Sequence, residues 1–207
     1  MVDLDSLTDQ FHLTQDARNG LEAFGALVEI WNGRINLVSR STIGNIWERH
    51  FLDAIQQWSL VPETARSLVD LGSGAGFPGL VFSILAQSDR PSLKITLVES
   101  DQRKAAFLRT VSRETGTSAV VLAQRIEAVE PLASDVVTAR ALAPLPKLLT
   151  YAERHLAPGG VAIFPKGAKA DQEIDDALAN WTFTLQKHPS LSHPDAAILC
   201  IGDIARV

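Results

Sequence analysis

The 207-residue chain has one cysteine, Cys200. It cannot close an internal disulfide, and nothing in its thiol content points to secretion. No apolar run reaches the ~18 residues that a membrane-spanning helix needs. The N-terminus lacks the basic-then-apolar layout of a signal peptide. The expected compartment is therefore the cytoplasm, with no membrane partner. Cations are also in short supply. The chain has 19 Lys and Arg against 24 Asp and Glu, giving a net charge of −5 and a sequence pI near 5.5. Phosphate neutralisation needs local Lys and Arg, so this balance counts mildly against a nucleic-acid partner, although a basic face can sit on an acidic protein. Internal repeats and low-complexity segments are absent. What remains is a globular composition, 46% hydrophobic and 21% charged, in a chain long enough to bury a core without staples. Its length suits one α/β domain plus an extension.

The organising stretch is Arg66-Ser-Leu-Val-Asp70-Leu-Gly72-Ser-Gly74-Ala-Gly76-Phe77-Pro78-Gly79. Leu68, Val69 and Leu71 read as a short strand buried on both faces, which suits a parallel sheet covered by helices. Pro78 suits the first turn of a helix, where its missing N–H costs nothing. Leu80, Val81, Ile84 and Leu85 then follow at helical spacing. Strand, glycine turn and helix together let a ligand approach main-chain N–H groups closely. Gly74-Ala-Gly76-Phe-Pro-Gly79 matches the dinucleotide pattern G-x-G-x-x-G, a weak signal alone. Asp70-x-Gly72-x-Gly74-x-Gly76 fits better, and it resembles motif I of class I S-adenosylmethionine-dependent methyltransferases.

Residues 1–62 read as a helical cap and residues 63–207 as the cofactor domain. Residues 1–13 are expected to be a frayed lead-in. Leu21, Phe24, Val28 and Trp31 mark one helix, stopped by Asn32-Gly33. Residues 34–41 read as an ordered loop. Thr42 is a candidate N-cap for a helix with the stripe Ile43, Ile46, Trp47, His50, Phe51, Ala54, Ile55, Trp58, ended by Pro62. Three of the four tryptophans fall in this cap. Aromatics can stack bases, but these lie on apolar stripes and read as core. His50 lies on the same stripe, and alone it reads as a hydrogen-bonded core histidine. Arg49 and Asp53 have the spacing of a surface ion pair of little worth.

Further along, Lys94–Val98 is a second strand. Glu99 closes it about 20 residues past the glycines, where an acid suits ribose hydroxyls or stands solvated. In the following helix Arg103, Lys104, Arg109 and Arg113 are either a phosphate-facing or a solvated set, with Asp101 at its start. Residues 118–122 and 135–138 are strands three and four. Ile126 and Glu127 follow the third, and Arg140 follows the fourth. Ligands lie beyond carboxyl strand ends in such folds. Ile126 could pack on an adenine face, Glu127 could accept from nearby donors, and Arg140 could pair with a carboxylate or phosphate. A helix over 144–156 leads through Pro158-Gly-Gly into strand 161–164. Lys166 just past it suits surface or site equally. A short helix over 171–179 and strands near 181–187 and 196–201, the last antiparallel, complete the sheet. Cys200 reads as buried filler.

Asn36-Leu-Val-Ser39, Arg49-His50-Phe-Leu-Asp53, Asp70 to Gly79, Ala139-Arg-Ala-Leu-Ala-Pro144 and Pro165-Lys166-Gly167 occur in this order. The set closely resembles bacterial 16S rRNA (guanine-527 N7) methyltransferases, the small-subunit methyltransferase G family, also called glucose-inhibited division protein B. The resemblance runs from about residue 20 to 201. Val38-Ser39 departs from the family's frequent Thr-Ala. The resemblance implies a seven-stranded class I sheet, doubly wound, with an N-terminal helical extension. It implies S-adenosylmethionine as cofactor, held at Gly72, Phe77, Ile126, Glu127 and Arg140, with Glu99 as the ribose acid. With Asp70, Gly74 and Gly76 of motif I, these are the expected cofactor-binding residues. It places Arg49, His50 and Lys166 on the RNA side, and 16S rRNA in the small ribosomal subunit as partner of a monomer. No metal is expected.

The residue inventory also constrains the acceptor. Pyrimidine C5 methylation needs a cysteine nucleophile, and Cys200 is remote from the strand ends. Amine methyltransferases usually carry an Asn/Asp-Pro-Pro-aromatic turn after strand four; here it is Thr138-Ala-Arg140-Ala. Guanine N7 has a lone pair and no proton, so no base is required, and in-line placement suffices. His50 or Lys166 is the expected donor to O6. A small-molecule or protein methyltransferase, or a non-catalytic cofactor-binding assembly factor, are the alternatives.

Overall fold

The computed structural model describes residues 2–207. Seven strands form one sheet in the order β3-β2-β1-β4-β5-β7-β6. They are β1 (Ser67–Leu71), β2 (Lys94–Val98), β3 (Val120–Leu122), β4 (Ser134–Thr138), β5 (Leu156–Lys166), β6 (Trp181–Pro189) and β7 (Ala197–Arg206). The first five run parallel; β7 runs antiparallel to both its neighbours. The strand order reverses between β1 and β4, and ligands bind outside the carboxyl strand ends at such a point. The expected class I topology is therefore present. Alternation along β1 sorts its side chains: Leu68 faces one helix layer, Val69 and Leu71 the other, so Asp70 shares the face of Leu68.

On that face lie α2 (Gln15–Ile35), α3 (Asp53–Trp58), α4 (Gly79–Asp89) and α5 (Gln102–Glu114); α6 (Leu145–His155) and α7 (Ala170–Leu178) cover the other. The helical cap shares its core with the sheet domain. Phe24 of α2 stacks on Phe77 of the glycine loop (centroids 4.9 Å apart) and meets Phe51 edge-on at 5.3 Å. The three cap tryptophans pack as core expectations require: Trp31 on Phe107, Trp47 on Phe51 and Trp58 on Phe82. Trp58 also donates to Asp89.

Several local expectations are corrected. Residues 1–13 are not a frayed lead-in. They contain α1 (Leu4–Phe11), with Asp3 and Ser6 in a reciprocal capping box and Leu4 and Leu7 buried, which satisfies two otherwise orphaned N–H donors. α2 runs through Asn32-Gly33 to Ile35 and ends at Asn36 in the left-handed conformation. Glycine in an exposed last turn costs a helix about 1 kcal/mol, which tertiary packing outweighs. Residues 43–58 are not one helix. A 3₁₀ turn (Ile43–Asn45) passes into a π-helical segment (Trp47–Leu52) and then α3. Thr42 makes no side-chain cap there; its hydroxyl is engaged elsewhere. Cys200 is half-buried in β7, not fully buried, and burial pushes its thiol up to about 11. It is inert as a nucleophile at neutral pH.

Candidate active site

The glycine loop leaves β1 and is tied back by two main-chain bonds, Gly72 N–H and Ser73 N–H donating to the Val98 carbonyl at 2.8 and 3.0 Å. Gly72, Gly74 and Gly76 all have positive φ, which only glycine adopts without strain, but they serve different neighbours. A Cβ on Gly72 would sit 2.7 Å from Leu142, and one on Gly76 would sit 2.5 Å from Leu80 and 3.1 Å from Phe24. Those two glycines allow protein to pack against protein. A Cβ on Gly74 would meet only the Gly72 carbonyl, at 3.7 Å, so any side chain there would enter the adjoining cleft.

That cleft, about 550 Å³, opens over the carboxyl ends of β1, β2 and β4. Of the expected cofactor residues, Gly72, Gly74, Phe77, Glu99, Ile126, Glu127 and Arg140 line it, together with His50. Asp70 and Gly76 do not; they stand behind the wall. Asp70 is fully buried, accepts from Gly79 N–H at 3.2 Å through Oδ2, and leaves Oδ1 without a partner among the described residues. Burial pushes its carboxyl up to about 7, since a charge there is poorly solvated. Its role is to hold the start of α4, where Gly79 has no room for a Cβ against Asp70 and Leu97.

Glu99 braces the loop. Its Oε2 accepts from Gly74 N–H and its Oε1 from Asp101 N–H, both at 2.8 Å. Each oxygen keeps a second lone pair for a ligand hydroxyl. The loop after β3 presents Ile126 and Glu127, and α6 presents Tyr151 beneath them. Tyr151 donates to Glu127 at 2.5 Å; this bond holds Glu127 below the usual carboxylate range, while burial and Glu127 push Tyr151 up to about 12. Tyr151 was not anticipated, although it is the chain's single tyrosine on the buried stripe of an amphipathic helix. Of the four α5 cations, Lys104 alone reaches the cleft; Arg103 and Arg113 pair with Asp101 and Glu114 on the exposed surface.

Arg140 joins cap and sheet. Its Nη1 donates to His50 Nδ1 at 2.8 Å, its Nη2 to the Arg49 carbonyl at 2.8 Å, and its Nε pairs with Asp53 Oδ2 at 2.9 Å. This corrects the expected surface pair: Asp53 is buried and binds Arg140, not Arg49. Because Nδ1 accepts, the neutral His50 ring carries its proton on Nε2 and donates it to Thr42 Oγ1 at 3.0 Å. Burial, then the charges of Arg140 and Arg49, push His50 down to about 3. His50 is thus a neutral imidazole with both nitrogens engaged.

A second hollow, about 590 Å³, lies on the far side of Arg140-Ala141-Leu142. Arg49 and Lys166 line this one. Lys166 is well buried and holds Glu173 at 2.7 Å and the Ala143 carbonyl at 2.9 Å, so its ammonium is a structural pin. Arg49 makes no ion pair among the described residues. Ser192 and His193, on the β6–β7 loop, complete the wall; no sequence signal marked them.

The sequence model of the family described as rRNA small subunit methyltransferase G matches residues 17–198. The chain belongs to that family. The ribosomal RNA small subunit methyltransferase G of Cereibacter sphaeroides is 46% identical over 203 residues, 98% of each chain. That of Rhodospirillum centenum is 49% identical over 195 residues, 94% of this chain and 88% of its own. Solved structures agree on the fold. An O-methyltransferase from Bacillus cereus in complex with SAH superposes with a TM-score of 0.57 at 16% identity, over 88% of this chain and 91% of its own. A methyltransferase from Geobacter sulfurreducens gives 0.58 at 15% identity, over 87% and 88%. The family member is an S-adenosylmethionine-dependent methyltransferase, and its glycine-walled cleft fits that cofactor: the open face of Gly74 and the spare lone pairs of Glu99 are what an adenosyl ligand requires.

Proposed function

We propose that the protein methylates N7 of guanine 527 in the 16S rRNA of the small ribosomal subunit. What carries this reading is the combination of family membership with a cofactor cleft whose lining includes no thiol among the described residues and whose His50 has both ring nitrogens engaged. The bound cofactor would supply an electrophilic methyl on a sulfonium. Gly72, Gly74, Phe77, Glu99, Ile126, Glu127 and Arg140 would hold it, with Asp70 and Gly76 supporting the loop from behind. Guanine N7 would attack with its own lone pair as the methyl–sulfur bond breaks, leaving the sulfur as a neutral thioether, and would release no proton. The protein's contribution is then placement of N7 in line with the methyl–sulfur bond.

Arg49 and Lys166, which line the second hollow, belong to the acceptor side in this reading, whereas His50, expected there, lines the cofactor cleft; all three act as holding groups and not as acid or base. His50 is neutral and fixes the Arg140 fork; Lys166 pins the wall of the second hollow; Arg49 is available to a phosphate. The cap, residues 1–62, would face RNA, and residues 63–207 would form the cofactor domain. The protein is taken to act as a cytoplasmic monomer. No helix of the described residues is long and apolar enough to cross a membrane. Nucleoside mass spectrometry of 16S rRNA from cells lacking the protein tests the assignment: 7-methylguanosine at one site should vanish and return on incubation of those subunits with purified protein and cofactor. Recovery of a methylated amine or a C5-methylpyrimidine instead would refute it. Cys200→Ala should leave turnover nearly intact.

A further inference from the structure

Methylation of guanine N7 needs the base edge held, and the donors expected for O6 are mostly committed elsewhere. His50 gives its proton to Thr42, and Lys166 gives two of its three to Glu173 and the Ala143 carbonyl. We propose that the second hollow receives the target guanine and that His193, on the β6–β7 loop, is the donor that selects its O6. This rests on the N7-methyltransferase reading above.

Four observations support it. The hollow has the size of a small-ligand pocket and shares Arg140, Ala141 and Leu142 with the cofactor cleft, so the two cavities adjoin at that turn. His193 lines the hollow, and its Nδ1 accepts from Asp195 N–H at 3.2 Å. With Nδ1 accepting, the ring's N–H lies at Nε2, and that donor has no partner among the described residues. The loop is not free to drift: Asp53 Oδ1 accepts from Ser192 Oγ at 3.0 Å, and Gln56 donates to Ser190 Oγ at 3.0 Å and accepts from Leu191 N–H at 2.7 Å. The same Asp53 carboxylate holds Arg140 with its other oxygen, which sets the loop in register with the wall between the hollows. Last, methylated guanine is a cation, and an imidazole whose Nδ1 accepts a hydrogen bond offers O6 a donor without the ammonium charge that a lysine would bring beside N7.

The test compares wild type and His193→Ala on small subunits whose 16S rRNA, assembled with a ligated synthetic fragment, carries guanine or 2-aminopurine at the target. 2-Aminopurine keeps N7 and lacks O6. On guanine, His193→Ala should lower kcat/KM about tenfold, of the order of one hydrogen bond. The 2-aminopurine substrate should cost the wild type a similar factor and the variant no more, because both changes remove the same contact. His193→Asn, which keeps a donor, should recover part of the loss. Calorimetric S-adenosylmethionine binding by His193→Ala should match wild type, which shows that the fold is intact. Wild-type activity of His193→Ala on guanine, or multiplication of the two losses, overturns the proposal while the N7 reading stands. Failure of the wild-type protein to yield any 7-methylguanosine sinks that reading and the proposal with it.

Discussion

Replacing Arg140 by alanine should destabilise the protein far more than loss of a surface arginine would. The side chain is 22% exposed and that of its partner Asp53 is 11% exposed, so solvent screens the pair weakly. The substitution removes three bonds at once, to Asp53, His50 and the Arg49 carbonyl. Truncating one partner of a buried ion pair costs about 3–5 kcal/mol, chiefly because the other charge is left uncompensated. Here the lower end applies. Asp53 Oδ1 keeps Gln56 and Ser192 as donors, and only Oδ2 is stripped. A loss of about 3 kcal/mol is a large part of a typical 5–15 kcal/mol stability. Asp53→Asn on its own should cost less, since Arg140 retains two acceptors. Combined with Arg140→Ala it should recover roughly 1–2 kcal/mol of the sum, because the stranded charge is then gone. Arg140→Lys should rescue little, since an ammonium cannot span three acceptors that a planar fork reaches. Urea unfolding of the four proteins at one pH, read at constant m-value, measures the cycle. An Arg140→Ala loss below about 1 kcal/mol, the scale of an exposed pair, or strict additivity with Asp53→Asn, would refute the reasoning.

Gly74→Val should abolish S-adenosylmethionine binding by calorimetry while the protein still melts cooperatively. The side chain would enter the cleft at φ +54, at a strain of about 1–2 kcal/mol, and unimpaired binding would show that the cofactor lies elsewhere. Asp70→Asn tests the buried carboxyl. Its pKa is raised from 3.8 to about 7, so the native state holds the proton that the unfolded chain has released. The stability of wild type relative to Asp70→Asn should therefore fall between about pH 4 and pH 7 and level off above, and parallel pH profiles would contradict this. Arg49→Gln should reduce the salt slope of subunit binding by roughly 0.7–0.9 if it meets one phosphate; an unchanged slope removes it from the RNA face.

The lining of the glycine-walled cleft was legible because its signals are local. A strand, alternate glycines and an acid at the next strand end lie within short windows of sequence, and Gly72, Gly74, Phe77 and Glu99 fall where that pattern puts them. Ile126, Glu127 and Arg140 were legible as strand-end positions. That Asp70 and Gly76 stand behind the cleft wall was not, because motif matching does not separate a residue that lines a cavity from one that supports its wall. The second hollow depends on contacts between distant segments. Asp53 meets Arg140 and Ser192, and nothing about its spacing to Arg49 announces either. Ser192 and His193 sit in a Pro-flanked loop with no pattern to read.

The break in the cap helix explains why regular spacing failed there. In an uninterrupted α-helix the Asp53 N–H would bond to the Arg49 carbonyl. Here the π-helical segment turns that N–H to the carbonyls of His50 and Phe51, and the Arg49 carbonyl instead accepts from Arg140. The wider turn also changes which side chains share a face. His50 reaches the cofactor cleft, Arg49 and Asp53 reach the second hollow, and all three converge on one guanidinium. π-Segments are rare and cluster at functional sites. This one lets a short stretch of cap supply Arg140 with a carbonyl, an imidazole and a carboxylate. Arg140 can therefore follow β4 at the boundary of the two hollows without a counter-charge from the sheet domain itself. A change that restored a regular helix over Trp47–Leu52 would bring Asp53 N–H to the Arg49 carbonyl, which Arg140 would then have to share. The cap is thus a structural part of the wall between the two hollows.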